Sequence, residues 1–212
     1  MLSEIFVLLN IGPTGTLAYG LPPFQKGDSM KLESLEIPEV KLLFPKKFED
    51  ERGFFSETYN QEVFAKAGIT QGFVQDNHSL SKTAGVLRGL HFQREPFAQD
   101  KLVRVLRGRI LDVAVDIRPN SPTLGKSVIA EINADDWNQI FVPRGFAHGF
   151  LTLAPDTEVV YKVSCPYTPS AEQAILWNDP DLAIDWPMDE SRLVLSAKDA
   201  NAMSFKDYLK MV

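Results

Sequence analysis

From Met30 onward the chain is patterned mainly by alternation. Leu111, Val113, Val115 and Ile117 are separated by Asp112, Ala114 and Asp116, the period-two spacing of a strand with one buried face. The apolar run Lys101–Leu106 precedes it, and Gly108 lies between the two, so a hairpin is expected there. Phe146–Leu153 and Glu158–Val163 read as a second pair, joined through Ala154, Pro155 and Asp156. Short strands broken by turn signals at this spacing predict a β-sandwich or barrel. Helical spacing is confined to Gln61–Ala67 and to a C-terminal stretch from about Ala197 to Leu209. Residues 1–29 differ from the rest. Pro13, Pro22 and Pro23 stand among Gly12, Gly15, Gly20 and Gly27 without a sustained period. They are expected to form a weakly ordered extension to a domain spanning 30–212.

Composition narrows the class. A chain of 212 residues is one domain by length, with 44% hydrophobic and 24% charged residues as in an ordinary water-soluble fold. A net charge of -6 argues against a nucleic-acid partner, which calls for a basic surface. An anionic small molecule stays open, because a local cluster of Arg and Lys can hold phosphate. The single cysteine, Cys165, excludes an internal disulfide and any CxxC site, and makes the cytoplasm the expected compartment. No run approaches the roughly 20 apolar residues of a membrane helix. The opening Met1–Asn10 is apolar but short, carries Glu4 and lacks a basic start, so it is not read as a signal peptide and no membrane partner is expected.

Several chemistries lack their signatures. No GxGxxG follows a strand, and there is neither a GxxxxGK[ST] loop nor a GxSxG elbow. His78, His91 and His148 form no HxH or HExxH, and no metal is expected, although three strands could still bring them together.

What is present is a series of polar residues set inside apolar strands. They fall in Asp50–Glu57 (DERGFFSE), Phe73–Ser79 (FVQDNHS), Val86–Gln93 (VLRGLHFQ), Lys101–Val103, Pro143–Phe150 (PRGFAHGF), Glu158–Lys162, Trp177–Asp179 and Leu195–Asp199 (LSAKD). A polar group buried without a partner costs about 1–3 kcal/mol. So many together predict a polar cavity in place of a packed core.

These motifs closely resemble the dTDP-4-dehydrorhamnose 3,5-epimerases, over a span from Met30 to Asp199. The resemblance implies an all-β, cupin-like jelly-roll β-sandwich or barrel with a short C-terminal helix, a homodimer, and no cofactor. It implies epimerisation at C3 and C5 of a dTDP-linked 4-keto-6-deoxyhexose. Position by position, His91 resembles the family's general base, Asp199 the carboxylate that orients it, and Tyr161 the acid on the other face of the sugar. Lys101 resembles the group near the C4 oxygen. Arg52, Glu57, Gln75, Asp76, Asn77, Arg88, His148, Tyr167, Glu172 and Lys198 match positions that hold the nucleotide or the sugar. Three features depart from the pattern: Pro166 where an aromatic is usual, Asp100 where glycine is common, and the extension before Met30.

The chemistry gives these residue types a reason. A hydrogen beside a ketone is acidic because the charge left behind moves onto oxygen, and C3 and C5 flank the same C4 ketone. Inversion needs a base on one face and an acid on the other. Histidine titrates near neutrality, and a positioned base gives about 10²–10⁴-fold. A carboxylate fixes its tautomer, and a lysine meets the developing oxyanion. Tyr161 shares strand parity with Val159 and Val163, which points its ring inward. Arg88 and His91 are three apart, so a regular strand would send them to opposite faces unless Gly89 hosts a bulge.

Taken singly, His91, His148 and Tyr161 would read as core residues, Arg52 and Arg88 as surface charges, and His78 as structural. Their joint occurrence reverses this. Three alternatives stand beside the double epimerase: a mono-epimerase of another nucleotide-linked 4-ketosugar, a non-catalytic sugar-binding jelly roll, and a metal-dependent cupin.

Overall fold

A computed structural model describes residues 29–212; the expectation of a weakly ordered extension over residues 1–29 concerns a segment outside the described residues but for its last. In chain order the strands are β1 (Met30–Ser34), β2 (Lys41–Pro45), β3 (Phe48–Asp50), β4 (Gly53–Phe55), β5 (Gln75–Ser81), β6 (Leu87–Gln93) and β7 (Lys101–Arg107). Then come β8 (Arg109–Asp116), β9 (Ser127–Asn133), β10 (Gln139–Val142), β11 (Phe146–Thr152), β12 (Thr157–Val163) and β13 (Glu172–Ala174). Helix α1 (Gln61–Lys66) follows β4, and α2 (Ala197–Ala200) and α3 (Phe205–Leu209) close the chain. Two antiparallel sheets face each other, one in the order β1-β2-β10-β7-β12-β5 and the other β13-β6-β11-β8-β9, with β3-β4 as a separate hairpin. This is the all-β jelly roll.

The two expected hairpins are not pairs. β7 and β8 lie in different sheets, as do β11 and β12. Gly108, at φ 80°, turns the chain across the sandwich; a Cβ there would lie 2.4 Å from Thr157 Oγ1. From β5 to β13 the chain changes sheet at every step except β8 to β9. Turn residues report that a chain reverses, but the next strand goes wherever its apolar faces are best covered.

β8 also differs from the half-buried strand its alternation predicts, for both its faces are covered. Ala114 packs between the sheets with Val103, Val105, Ile140, Phe150 and Val159. Val113, Val115 and Ile117 point the other way, against Leu90, Phe92, Ile175, Leu182, Phe205 and Tyr208. The segment after β13 therefore wraps the outer face of the five-stranded sheet. Burying an aliphatic side chain of this size contributes about 1.5–3 kcal/mol, which is enough to hold an irregular segment down.

The C-terminal helical stretch is two short helices instead of one, because Ser196 and Ser204 each cap a new start and Met203 bridges to Ile175 between them. Helix α1 matches the expected Gln61–Ala67. Asn60 caps it, and Phe64 docks with Ile69 on Leu43, Leu102 and Phe141, covering one end of the six-stranded sheet's outer face.

Candidate active site

Where β5, β6, β7 and β12 meet the segment leading into β13, the sandwich holds a polar cavity of about 190 Å³. Its walls include Gln75, Asn77, His91, Gln93, Lys101, Tyr161, Tyr167 and Glu172. Strand parity selects them. On β6, Leu90 and Phe92 are committed to the outer core, so His91 turns inward. On β5, Gln75 and Asn77 face in while Asp76 faces out.

Asp199 reaches His91 by a local device. Ser196 caps α2 by accepting from the Asp199 amide at 3.1 Å and donates its own hydroxyl to Asp199 Oδ2 at 2.8 Å, a reciprocal capping arrangement. That leaves Oδ1 free to take His91 Nε2 at 2.5 Å. Burial pushes the Asp199 carboxyl up, but the hydrogen bonds from His91 and Ser196 outweigh it and hold it below the usual range. A carboxylate so held fixes the orientation of the imidazole ring.

The expected bulge is at Gly89. His91 pairs with His148 and Arg88 with Phe150, so three steps on β6 span two on β11. Gly89 sits at φ 132°, and a Cβ on it would lie 2.4 Å from Gly149 Cα. Only glycine at both positions lets the strands cross so closely. The extra residue breaks the alternation of β6 between Arg88 and His91.

Tyr161 projects from β12, in the sheet opposite His91, and packs half-buried against Val159 and its neighbours. Burial raises its pKa above that of an ordinary tyrosine, with Arg88 opposing and Glu172 reinforcing. At neutral pH it is a protonated phenol, able to donate. Lys101 is buried at the start of β7, its Nζ donating to the His91 carbonyl at 3.3 Å. Burial lowers its pKa to about 8, against the pull of Asp112 and Glu172. Glu172 links the rim. Tyr167 donates to it at 2.6 Å and Lys198 pairs with it at 2.5 Å. Burial pushes Glu172 up, yet these two partners hold it low.

His148 faces into the sandwich as the register partner of His91, buried and bonded to both Asp112 carboxylate oxygens at 2.9 and 3.0 Å. Three predicted residues are not brought to the cavity. Asp76 pairs with Lys162 at 2.9 Å on the outer face. Arg52 pairs with Asp50 at the exposed turn between β3 and β4, and Glu57 follows that hairpin. His78 is on the outer face too, 3.2 Å from Glu158.

Three further residues shape the site without having been singled out. Asp112 anchors His148, and Ser196 aims Asp199. Gln93 donates to the carbonyls of Phe97 and Pro166 and accepts from the Thr168 amide, which fixes the loop carrying Tyr167. Ser196 had a readable signal, the Ser-x-x-Asp spacing of a capping box. Asp112 stood in plain view within the β8 alternation. Among the described residues no three His, Cys, Asp or Glu side chains are grouped as a metal site, and no helix is long and apolar enough to cross a membrane.

The cavity brings together an imidazole backed by a carboxylate on one wall, and a protonated phenol and a buried lysine from neighbouring strands of the other sheet. Comparison with known proteins gives the family. Residues 34–207 match the family model described as dTDP-4-dehydrorhamnose 3,5-epimerase. A protein of that name from Sinorhizobium fredii is 51% identical over 177 residues, covering 84% of this chain and 90% of its own. The crystal structure of the enzyme of that name from Elizabethkingia anophelis superposes with a TM-score of 0.81 at 46% identity, over 85% of this chain and 98% of the other. A Legionella pneumophila dTDP-6-deoxy-D-glucose-3,5-epimerase, solved in complex with dTDP-4-keto-L-rhamnose, gives 0.80 at 45% identity over 84% and 93%.

Proposed function

The chain belongs to the dTDP-4-dehydrorhamnose 3,5-epimerase family, and from that premise we propose that it converts dTDP-4-dehydro-6-deoxy-D-glucose to dTDP-4-dehydro-L-rhamnose. One observation carries the reading: His91 and Tyr161 project into one cavity from opposite sheets, and Lys101 lines it as well. A flat enolate held there meets a base on one side and an acid on the other. His91 takes the proton from C3 or C5, Asp199 stabilises the resulting imidazolium, Lys101 meets the C4 oxyanion, and Tyr161 returns a proton from the far face. Gln75, Asn77, Arg88, Tyr167, Glu172 and Lys198 are placed to hold the sugar and the nucleotide, with Arg88 and Lys198 the cations for its diphosphate. Cytoplasmic residence accords with a lone free cysteine and an activated-sugar substrate.

The test is NMR in D₂O with dTDP-4-keto-6-deoxyglucose. Deuterium should enter at both C3 and C5 as the rhamno configuration appears. The rate should be unchanged by EDTA, because side chains supply base, acid and oxyanion partner. Exchange at one carbon alone would make the protein a mono-epimerase, exchange at neither a binding module, and loss on chelation a metalloenzyme.

The homodimer belongs to the same reading. The outer face of the six-stranded sheet beyond α1 is open, with Val74 62% and Leu80 46% exposed. Phe48, Phe54 and Phe55 on the β3-β4 hairpin are likewise open to solvent. Arg52 and Glu57, which match substrate-holding positions, lie on and beside that hairpin, away from their own cavity. A second copy docked on this surface would bring them to its partner's site. Mixing two inactive variants, Arg52→Ala and His91→Asn, should then restore about a quarter of wild-type activity, because half the dimers are hybrids and each has one whole site. No recovery from a mixture that gel filtration shows to be hybridised would place Arg52 in its own subunit's site or outside any.

A further inference from the structure

We propose that Trp137, in the turn between β9 and β10, is a positioning residue for substrate binding: it fixes the β3-β4 hairpin that presents Arg52 and Glu57. The inference rests on the reading above, in which those two residues hold substrate, but one of its two measurements is independent of that reading.

Trp137 is held where its own backbone is unfavourable. Its φ of 59° lies in the left-handed region, which glycine and asparagine enter readily and a bulky aromatic residue rarely does. The turn around it is fixed by other residues. Asn133 Oδ1 accepts from the Asp135 and Asp136 amides at 3.0 and 2.7 Å, and Asn138 Oδ1 accepts from the Asn133 amide at 3.0 Å. Both asparagines are buried. Glycine at 137 would suit this turn better. A residue kept against its backbone preference points to a job for its side chain. That job is not core packing, for Trp137 is only partly buried and belongs to none of the apolar clusters that hold the sheets together.

What the indole touches is the hairpin. Its Nε1 donates to Ser56 Oγ at 3.0 Å, and its ring meets Phe54 edge to face, with centroids 4.8 Å apart. Lys47 Nζ lies over both rings, 4.3 Å from the Trp137 centroid and 4.9 Å from that of Phe54. The guanidinium of Arg104, on β7, is 5.1 Å from the indole centroid and ties the group to the six-stranded sheet. One residue thus links Phe54 on β4, and Ser56 just after it, to the body of the domain. Arg52 stands two residues before Phe54, and Glu57 directly follows Ser56. Arg52 is bonded to Asp50 within the same turn, so its place is that of the hairpin.

The first measurement needs no substrate. Amide hydrogen exchange across residues 46–57 is followed by mass spectrometry in the wild type, Trp137→Gly and Trp137→Phe. Glycine keeps the left-handed turn, so the fold survives while the anchor is lost. Exchange across the hairpin should quicken about tenfold or more in Trp137→Gly, with the two sheets unchanged. Trp137→Phe keeps a ring for Phe54 and Lys47 and loses only the Ser56 bond, so its hairpin should stay within about threefold of wild type. A hairpin equally protected in Trp137→Gly overturns the proposal.

The second measurement reads binding through turnover. Trp137→Gly should raise KM for dTDP-4-keto-6-deoxyglucose about tenfold and leave kcat within about twofold, because base, acid and lysine are untouched. Trp137→Phe should recover most of that loss. Arg52→Lys keeps the charge but not the planar fork, and should raise KM in the wild-type background. Its effect should be much smaller in Trp137→Gly, since the two residues act through one element. A merely structural tryptophan would lower kcat together with the melting temperature, and its effect on KM would multiply with that of Arg52→Lys. Either result overturns the proposal. A KM unmoved by Arg52→Lys, with the hairpin loosened in Trp137→Gly, would overturn the substrate-holding role of Arg52, and the positioning role with it, while the anchor itself stands.

Discussion

Replacing His91 by asparagine is expected to abolish both inversion and deuterium uptake, a loss of about 10³-fold or more in rate. No proton leaves the sugar without the base, and an amide in its place can neither take one nor share charge with Asp199 at 2.5 Å. Tyr161→Phe should behave differently. The phenol is on the opposite wall, so its removal stops delivery to the far face while His91 still exchanges protons on its own. Inversion should fall about 10²-fold and exchange persist. Asp199→Asn should lie between, because it removes the charge that favours the imidazolium and leaves a weaker orienting group. All three are read by NMR in D₂O on folded protein. If His91→Asn exchanges the C5 hydrogen at near wild-type rate, His91 is not the base.

A comparably large effect is expected from one methyl group. Gly89→Ala puts a Cβ 2.4 Å from Gly149 Cα and 2.9 Å from the His148 carbonyl oxygen, both backbone atoms. The residue must also keep φ 132°, where L side chains are rarely found. Backbone strain of this kind costs about 1–3 kcal/mol and overpacking a similar amount. We expect a loss of about 3 kcal/mol and a melting temperature lower by roughly 6–12 °C for a chain of this size. Turnover should fall about 10²-fold, because widening this crossing shifts His91 on Asp199, and catalytic geometry tolerates little displacement. Gly72→Ala is the control: a Cβ there meets nothing within 4 Å. A Gly89→Ala protein that melts with the wild type and turns over normally would show that β6 needs no close crossing at this point.

Much of the site was legible before any coordinates. His91, Asp199, Tyr161 and Lys101 stand in long motifs, and parity alone turns Tyr161 inward with Val159 and Val163. Parity also carried the means to separate Asp76 from Gln75 and Asn77, since neighbours on a strand face opposite ways. The motif match grouped all three, whereas the fold sends Asp76 to Lys162 on the outer face. Arg52 and Glu57 were legible as residue types in a motif. Their placement was not, because the hairpin is held by Asp50 against Arg52 and by Trp137 against Phe54 and Ser56, and the Trp137 contacts join residues about eighty apart in sequence.

The sequence by itself determined that this is a mainly β chain, where four of its thirteen strands lie, which polar groups stand together in motifs, and that Gly89 is a position at which the spacing of Arg88 and His91 could be relieved. These are matters of local periodicity and backbone freedom, and they are written within a few residues. The tertiary structure decided the rest. It put β7 and β8 in different sheets, covered both faces of β8, and set Asp112 beside His148. Pairing is a competition among all strands for buried apolar surface, and a charge acts on whatever the fold brings near it. Neither can be read from spacing along the chain, because both depend on residues far apart in sequence and close only once the two sheets have met.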